Sequence, residues 1–210
     1  MKNHCVIHFV GPDGCGKSTL ARMTLEILKE RGHFVELGWS RFNNYLSKPL
    51  LVLARLTGHN YYEVCDGVRF GYHDFENSIL LKYTFILFQA IDVNIAFAIR
   101  FHKLRYKASA IIFDRGPWDT LADVILDTGN NLLLQNLAGK CFIRQVCRHR
   151  VFFVQREMSR VLESRQELKH DRKLERKHSI YAHMSEYFNW EKINNNDSLD
   201  EVRTALSARI

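Results

Sequence analysis

A glycine-rich stretch near the start of the chain, residues 11–18, combines the residue types that bind phosphate groups. Its sequence, GPDGCGKS, matches the pattern G-x-x-x-x-G-K-[ST]. Glycines let a backbone turn its N–H groups inward around an anion. In such a loop the lysine, here Lys17, reaches the β- and γ-phosphates, and the serine, Ser18, coordinates Mg²⁺. The residues expected to contact a nucleotide are Gly11, Gly14, Cys15, Gly16, Lys17, Ser18 and Thr19.

Two acidic residues extend this pattern. Asp13 lies inside the glycine-rich stretch, where a carboxylate would repel polyphosphate. Either it contacts the hydroxyl group of an acceptor or it is a turn residue that faces solvent, and spacing alone leaves both open. Asp114, followed by Arg115, comes directly after the apolar residues 108–113. Because the carboxyl ends of parallel strands lie along one edge of a sheet, we expect Gly11 and Asp114 at the same edge.

The rest of the chain alternates between patterns typical of strands and of helices. Apolar runs predict strands at residues 5–10, 33–37, 108–113, 150–154 and 191–194. Helical spacing predicts helices at residues 18–30, 77–107, 120–148 and 158–190, and a last helix that Asp197 caps. Strands that alternate with helices predict one α/β domain, residues 1–210, in which helices flank a five-stranded parallel sheet.

The composition is typical of one globular domain that handles anionic ligands. The 210 residues suffice for a single core. The formal net charge of +7 suits phosphate-rich ligands, nucleic acid or an inert basic surface. Basic residues are not interleaved with aromatic ones in any nucleic-acid motif, so we expect no nucleic-acid partner. Five cysteines without metal-ligand spacing and the lack of a signal peptide predict a cytoplasmic protein.

One apolar stretch, residues 79–99, is long enough to raise the question of a membrane span. Polar and charged residues, among them Lys82 and Asp92, interrupt it, and charges are costly at the centre of a bilayer. We therefore expect a mostly buried helix of a soluble core and no membrane span.

Three motifs together resemble those of thymidylate kinases. GPDGCGKST at residues 11–19 resembles their phosphate loop, usually written G-x-D-G-x-G-K-S-T, and Asp114-Arg115 resembles the Asp-Arg after their third strand. The charged residues 164–190 resemble their lid and the helix that follows it. The residues that fit there are Arg165, Asp171, Arg172 and Tyr187. The resemblance implies a three-layer P-loop kinase fold with a small lid at about residues 164–178.

The resemblance also implies that ATP and Mg²⁺ are the cofactors. Lys17 and Ser18 would hold ATP and the metal, and Asp114 would help to hold the metal through its water shell. Some members of the family carry a catalytic arginine in the phosphate loop, at a position that is Gly14 here. The resemblance therefore places the catalytic positive charge in the lid, on one of three arginines: Arg165, Arg172 and Arg176.

The resemblance is weaker in the acceptor-binding region, at about residues 38–78. It implies that Arg115 faces the acceptor's phosphate and that Asp13 touches the acceptor's sugar or the transferring group. The family's R-E-P-G-G type of loop is replaced by GWSRFNNYLSKP, in which Arg41 remains a candidate ligand of the acceptor. Trp118, after the Asp-Arg motif, either stacks on a base or packs in the core.

These motifs predict a kinase, with the acceptor left open. The resemblance implies the reaction of ATP with dTMP to give ADP and dTDP. Val93 stands where the family has an arginine in its long helix, so a kinase of the same fold acting on an unphosphorylated nucleoside or sugar is an alternative. A regulatory protein that binds ATP without transfer is another. Kinases of this kind are often dimers through their long helices, which residues 79–99 would suit.

Overall fold

The computed structural model describes residues 4–40 and 44–210. The described strands are Cys5–Val10 (β1), Val35–Gly38 (β2), Asn60–Cys65 (β3), Val68–His73 (β4), Ala110–Asp114 (β5), Arg150–Gln155 (β6) and Glu191–Asn194 (β7). The α-helices are Lys17–Glu30 (α1), Ser47–Leu56 (α2), Ile79–Arg105 (α3), Pro117–Thr128 (α4), Leu137–Ile143 (α5), Met158–Ser164 (α6), Leu174–Tyr187 (α7) and Leu199–Arg209 (α8). Short 3₁₀ helices span Asn131–Leu134 and Gln166–His170.

Five of the strands form one parallel sheet in the order β2-β5-β1-β6-β7. The central strands are apolar apart from His8 in β1 and the polar end residues of β5 and β6, and Ile7, Ile111 and Ile112 have no solvent-exposed surface. Such continuous apolar runs are typical of strands that are covered on both faces. The predicted α/β class and the five-stranded parallel sheet flanked by helices are confirmed.

Helices cover the two faces of the sheet unequally. On one face α3, α4, α5 and α7 enclose a large core that includes Phe97, Phe113 and Leu121. On the other face α1 and α8 pack on Phe9 and Phe152. The chain therefore leaves β1 toward one face and the adjacent strand β5 toward the other. In α/β sheets, ligands bind in the crevice at such a divergence.

Three details differ from the sequence predictions. Residues 60–73 form an antiparallel hairpin, β3–β4, within the region predicted as loop and helix. The predicted helix at 158–190 is divided into α6, a 3₁₀ helix and α7. The last helix is capped one residue later than predicted, by Ser198, whose hydroxyl accepts from the backbone N–H of Glu201. Serine is as good an N-cap residue as aspartate, so composition alone did not separate the two positions.

Asp92, in the middle of α3, positions the start of α2. Its carboxylate is fully buried and accepts hydrogen bonds from the backbone N–H groups of Tyr45, Leu46 and Ser47 at 2.9–3.1 Å. A carboxylate at a helix start both satisfies unpaired donors and interacts favourably with the helix dipole. The next residue, Val93, is buried in the core.

One face of α3 is apolar but exposed. Its exposed apolar residues are Ile79, Leu80, Tyr83, Leu87, Ile91, Ile95 and Ile99. By length and composition alone, α3 is the one helix in the described ranges 4–40 and 44–210 that could cross a membrane. Only 44% of its most apolar window is buried. The prediction of a mostly buried helix is therefore wrong for this face, because α2, α4, α5 and the sheet cover only the other side of α3.

Two histidines, one buried and one partly buried, form a pair between β1 and the start of β6. His8 is 1% exposed, and its Nε2 lies 3.0 Å from Nδ1 of His149. The His8 ring stacks on Phe113 at a centroid distance of 4.9 Å. Burial, and secondarily the neighbouring His149, lowers the pKa of His8 well below its usual value. Burial lowers the pKa of His149 to about 4.

This pair predicts a loss of stability at mildly acidic pH. The unfolded chain binds protons at His8 and His149 below about pH 6.5, whereas the folded chain does not, so unfolding takes up protons. The free energy of unfolding should therefore keep its full value above pH 6.5 and fall between pH 6.5 and 4, by up to about 3 kcal/mol for a histidine that stays neutral and by less for the partly exposed His149. Urea titrations across this range measure it.

The control for this prediction is an exposed histidine. His149→Gln should reduce the pH dependence of the free energy of unfolding to the part that His8 causes, whereas His102→Gln, on the surface of α3, should leave it unchanged. An equal slope in the His149 variant and the wild type would show that His149 does not contribute to the acid sensitivity.

Candidate functional site

The glycine-rich residues 11–18 form a tight loop between β1 and α1, and α1 begins directly at Lys17. Gly14 and Gly16 have φ angles of 82° and 100°, which disfavour any side chain. A Cβ atom at Gly14 would also lie 2.8 Å from Cγ1 of Val161, and one at Gly16 would collide with the side chain of Asn195. Conformation and space therefore both require glycine here.

Lys17 is held inside this loop. The residue is 4% exposed, and its Nζ donates to the carbonyl oxygens of Gly11 at 2.6 Å and Pro12 at 2.7 Å. Burial lowers the pKa of Lys17. Because the loop carbonyls satisfy the ammonium group without a strong counter-ion, an anion entering the loop gains a buried positive charge as a partner.

Asp13 and Arg115 meet where the ends of β1 and β5 diverge. A carboxylate oxygen of Asp13 forms a very short ion pair with Arg115, and the other oxygen accepts from Nζ of Lys177 at 2.7 Å. Burial alone would lower the pKa of Arg115, but the carboxylates of Asp119 and Asp13 outweigh it and raise that pKa. Both carboxylate oxygens of Asp13 are thus ion-paired. Neither sequence-based interpretation of Asp13, as a contact to an acceptor hydroxyl or as a solvent-facing turn residue, predicted these two ion pairs.

Two helices carry a ladder of paired polar side chains beside this cluster. Three residues of α4 spaced by four face three residues that are also spaced by four, two on α7 and one directly before it. They are Asp119, Asp123 and Asp127 on α4, Tyr181 and Lys177 on α7, and Lys173 at its N-cap. The Tyr181 hydroxyl donates to Asp119 at 2.8 Å, Lys177 contacts Asp123 at 3.3 Å, and Lys173 contacts Asp127 at 3.1 Å. Asp119 also accepts from the backbone N–H of Gly116 at 3.0 Å, which closes the start of α4. The ladder ties α7 to the strand end that carries Arg115.

The segment of residues 158–176 (α6, the 3₁₀ helix and the start of α7) packs over the glycine-rich loop. Val161 and Leu168 are buried, and a Cβ atom at Gly14 would lie within 3.2 Å of each of them. The side chain of Arg165 would lie 3.7 Å from the same Cβ atom, and its guanidinium group pairs with Glu167 at 2.8 Å. Arg156, just before this segment, donates to the carbonyl oxygen of Gly14 at 3.3 Å. Among the predicted lid arginines, Arg165 is therefore placed next to the loop.

Two other arginines of the segment contact the β3–β4 hairpin and the residues after it. Arg172 donates to the Tyr61 hydroxyl at 2.5 Å, pairs with Glu63 at 3.3 Å and lies over the Tyr72 ring. Arg176 pairs with Glu76 at 3.1 Å. In this arrangement the hairpin, rather than the loop, binds Arg172.

The predicted metal ligands lie at two neighbouring sites. Ser18 is exposed in the first turn of α1, and Asp114 ends β5. The Oδ1 atom of Asp114 is buried and has no hydrogen-bond partner among the described residues. In residues 4–40 and 44–210 no cluster of three His, Cys, Asp or Glu side chains is suited to a metal. Since Mg²⁺ is usually bound through phosphates, waters and one or two protein oxygens, an unsatisfied Asp114 oxygen beside the loop fits such an ion.

The predicted acceptor residues have different positions. Arg115 lies at the crevice, as described above. Trp118 is 2% exposed and packs edge-to-face on Phe188 and Trp190 at centroid distances of 4.9 and 5.0 Å. Of the two alternatives for Trp118, the structure shows packing in the core. Arg41 lies outside the described residues.

Sequence reasoning missed four residues of the site: Arg156, Asp119, Lys177 and Tyr181. The spacing of four residues in both halves of the α4–α7 ladder is visible in the sequence. Nothing in the sequence indicates that the two helices face each other. Comparison of the chain with family models and with characterised proteins finds no match.

Proposed function

We propose that the protein is an ATP-dependent kinase of a small molecule, with a P-loop kinase fold whose lid is the 158–176 segment. One observation carries the proposal: the loop at residues 11–18 has three glycines with positive φ, leads directly into α1 and holds the buried Lys17 ammonium. A helix start with free backbone N–H groups and a lysine is suited to a polyphosphate.

Each half of the site has a part in this function. Lys17 would exchange the carbonyls of Gly11 and Pro12 for the β- and γ-phosphates of ATP. Ser18 and Asp114 would hold Mg²⁺, which neutralises charge on the phosphates. Arg115 would face the acceptor, as the resemblance to thymidylate kinases implies.

Phosphoryl transfer needs alignment and positive charge more than covalent help from the protein. Arg165 lies beside Gly14, where members of the resembled family carry a loop arginine, and it would supply charge to the transferring group. Arg172 would supply charge only after leaving Glu63 and Tyr61. The 158–176 segment would also exclude water, which otherwise competes with the acceptor for the phosphoryl group.

The acceptor implied by the resemblance is dTMP. An unphosphorylated acceptor is the second candidate, and a specific observation favours it. At the position of the family's long-helix arginine, Val93 is buried in the core, while the preceding Asp92 caps α2. A regulatory protein without transfer activity is less consistent with the site, since nucleotide binding alone does not require Asp13 and Arg115 at the crevice.

A test of the proposal measures ADP formed from ATP and Mg²⁺ with a panel of nucleoside monophosphates, nucleosides and sugars. We expect one class of acceptor to raise ADP formation at least about 100-fold over the rate without acceptor. A protein that binds ATP but phosphorylates none of the panel would be a binding protein, contrary to the proposal.

We also propose that the exposed apolar face of α3 joins two copies of the chain. The face extends over residues 79–99, about 30 Å at 1.5 Å per residue. The same face on a second copy is complementary to it in a twofold dimer. Sedimentation at micromolar concentration should show a dimer, and the double variant Leu87→Glu, Ile91→Glu should show a monomer with an unchanged fold. A monomeric wild type would contradict this proposal.

A further inference from the structure

Exposed apolar and basic side chains adjoin on the outer side of α2 and of the β3–β4 hairpin. The α2–hairpin patch consists of Leu53, Arg55, Leu56, Tyr62, Val64 and Arg69. All of these residues are exposed, and Leu56 and Val64 are the most exposed of the apolar ones, at 80% and 68%. An exposed apolar surface of this kind often marks the place where a protein binds a partner or a membrane.

The two halves of the patch are in contact. Side chains alternate between the two faces of a strand, and residues paired across two strands lie on the same face. The hairpin register pairs Arg69 with Val64 and Gly71 with Tyr62, so these four residues share the outer face. The guanidinium carbon of Arg55, on α2, lies 4.7 Å from the centroid of the Tyr62 ring. The exposed side of α2 therefore adjoins the outer face of the hairpin.

The two arginines of the patch share one aromatic ring and have no carboxylate partner. The guanidinium carbon of Arg69 lies 3.5 Å from the centroid of the Tyr62 ring, on which Arg55 also lies. Neither arginine forms an ion pair within the described ranges 4–40 and 44–210. Residues 44–62, which include α2, contain no Asp or Glu. Two neighbouring cations without a counter-ion attract anionic groups, which arginine binds through charge-assisted hydrogen bonds.

The acidic residues of the hairpin lie away from the patch. Glu63 points to the opposite face of the hairpin, where it pairs with Arg172 at 3.3 Å. Asp66, in the turn, contacts His170 at 2.8 Å. The outer face therefore combines apolar side chains with uncompensated positive charge, whereas the inner face contacts the 158–176 segment.

We infer that the α2–hairpin patch binds the surface of a membrane that contains anionic lipids. Its leucine and valine side chains enter the boundary between headgroups and acyl chains, as those of interfacial amphipathic segments do. Its tyrosine lies at the headgroup level, where this residue type is enriched. Its arginines bind the anionic groups of the lipids. In this arrangement the protein lies on the bilayer and does not cross it.

Other occupants fit the patch less well. Nucleic acid would bind the arginines but would leave Leu53, Leu56 and Val64 against a charged backbone. The same patch on a second copy, related by a twofold axis, would bring Arg55 and Arg69 close to like charges. The inference does not depend on the proposed kinase activity, because the patch contains no residue of the glycine-rich loop or of the crevice beside it.

Flotation of the purified protein with lipid vesicles tests the inference. Vesicles of phosphatidylcholine mixed with phosphatidylserine should bind the protein about 10-fold or more tightly than vesicles of phosphatidylcholine alone. Equal binding to the two kinds of vesicle, or binding to neither, would overturn the inference and would leave the proposed kinase activity standing.

Two double variants locate the contact on the patch. Arg55→Gln with Arg69→Gln should lower the affinity for the phosphatidylserine vesicles about 10-fold or more, because two attracting charges are removed. Leu53→Ser with Leu56→Ser should also lower it about 10-fold or more, because less apolar surface enters the bilayer. All four residues are exposed, so both variants should keep the circular dichroism spectrum of the wild type.

Matched controls carry corresponding substitutions elsewhere on the surface. Arg22→Gln with Lys29→Gln makes the same change in charge on the exposed side of α1. Leu137→Ser with Leu199→Ser removes the same kind of exposed side chain. Both controls should bind the vesicles as the wild type does.

Two results with these variants would contradict the inference. Loss of binding in the arginine variant alone would indicate a purely electrostatic contact, as with nucleic acid, and would overturn the assignment to a lipid surface. Wild-type binding in both patch variants would overturn the assignment to the α2–hairpin patch.

Discussion

Replacing Lys17 with alanine should lower kcat/KM for ATP about 100- to 1,000-fold, the typical effect of removing one donor to a transition-state charge. The wild-type ammonium lies inside the loop, on the carbonyls of Gly11 and Pro12, and no other lysine contacts them in the described residues. Alanine would leave these carbonyls without a donor, so we expect a stability loss of only about 1–2 kcal/mol. A coupled assay for ADP at varied ATP concentration and thermal denaturation measure the two effects separately.

The control for this variant is Lys29→Ala, at the exposed end of the same helix. It should preserve ATP binding and stability. If Lys17→Ala keeps the wild-type kcat/KM for ATP, the glycine-rich loop is not the nucleotide site, which would contradict the proposed kinase activity.

Replacing Asp92 with alanine should lower the free energy of unfolding by about 3–5 kcal/mol, comparable to breaking a buried charged pair. The carboxylate is fully buried and accepts from three consecutive backbone N–H groups. Alanine would leave these donors without a partner at the start of α2, and each costs about 1–3 kcal/mol when buried. Denaturant titration followed by circular dichroism measures the loss.

Asp92→Asn is the informative companion, because an amide oxygen accepts hydrogen bonds but carries no charge. We expect its free energy of unfolding to lie between those of the wild type and Asp92→Ala. Asp200→Ala, on the exposed first turn of α8, is the surface control. A loss below about 1 kcal/mol for Asp92→Ala would mean that water replaces the carboxylate at this helix start.

The sheet was predictable from the sequence because its strands are short apolar runs separated by helical patterns. The β3–β4 hairpin was missed, although its turn signal was present. Asp66 and Gly67, between the two strands, have φ angles of 50° and 78°, as a two-residue hairpin turn requires. The flanking strands alternate little in polarity, and two of their three tyrosines, Tyr61 and Tyr62, are at least partly exposed, so the periodic signal was weak.

The loop and the Asp114-Arg115 pair were predictable because each is a local motif at a strand end. The partners of Asp13 were not. Lys177 is separated from it by 164 residues, and only the packing of α7 on α4 brings the two together. The expected role of Arg172 depended on a lid free of other contacts, whereas the unpredicted hairpin supplies Tyr61 and Glu63 as its partners.

The equal spacing of the α4–α7 ladder has a mechanical consequence. Displacing α7 by one turn, about 5.4 Å, would move Lys177 from Asp123 to Asp119 and Lys173 from Asp127 to Asp123. Two of the three rungs would re-form, so the ladder by itself distinguishes poorly between the two registers. The ion pair from Lys177 to Asp13 comes from outside the ladder. The glycine-rich loop thus supplies a contact that distinguishes the observed register of α7 from the one displaced by a turn.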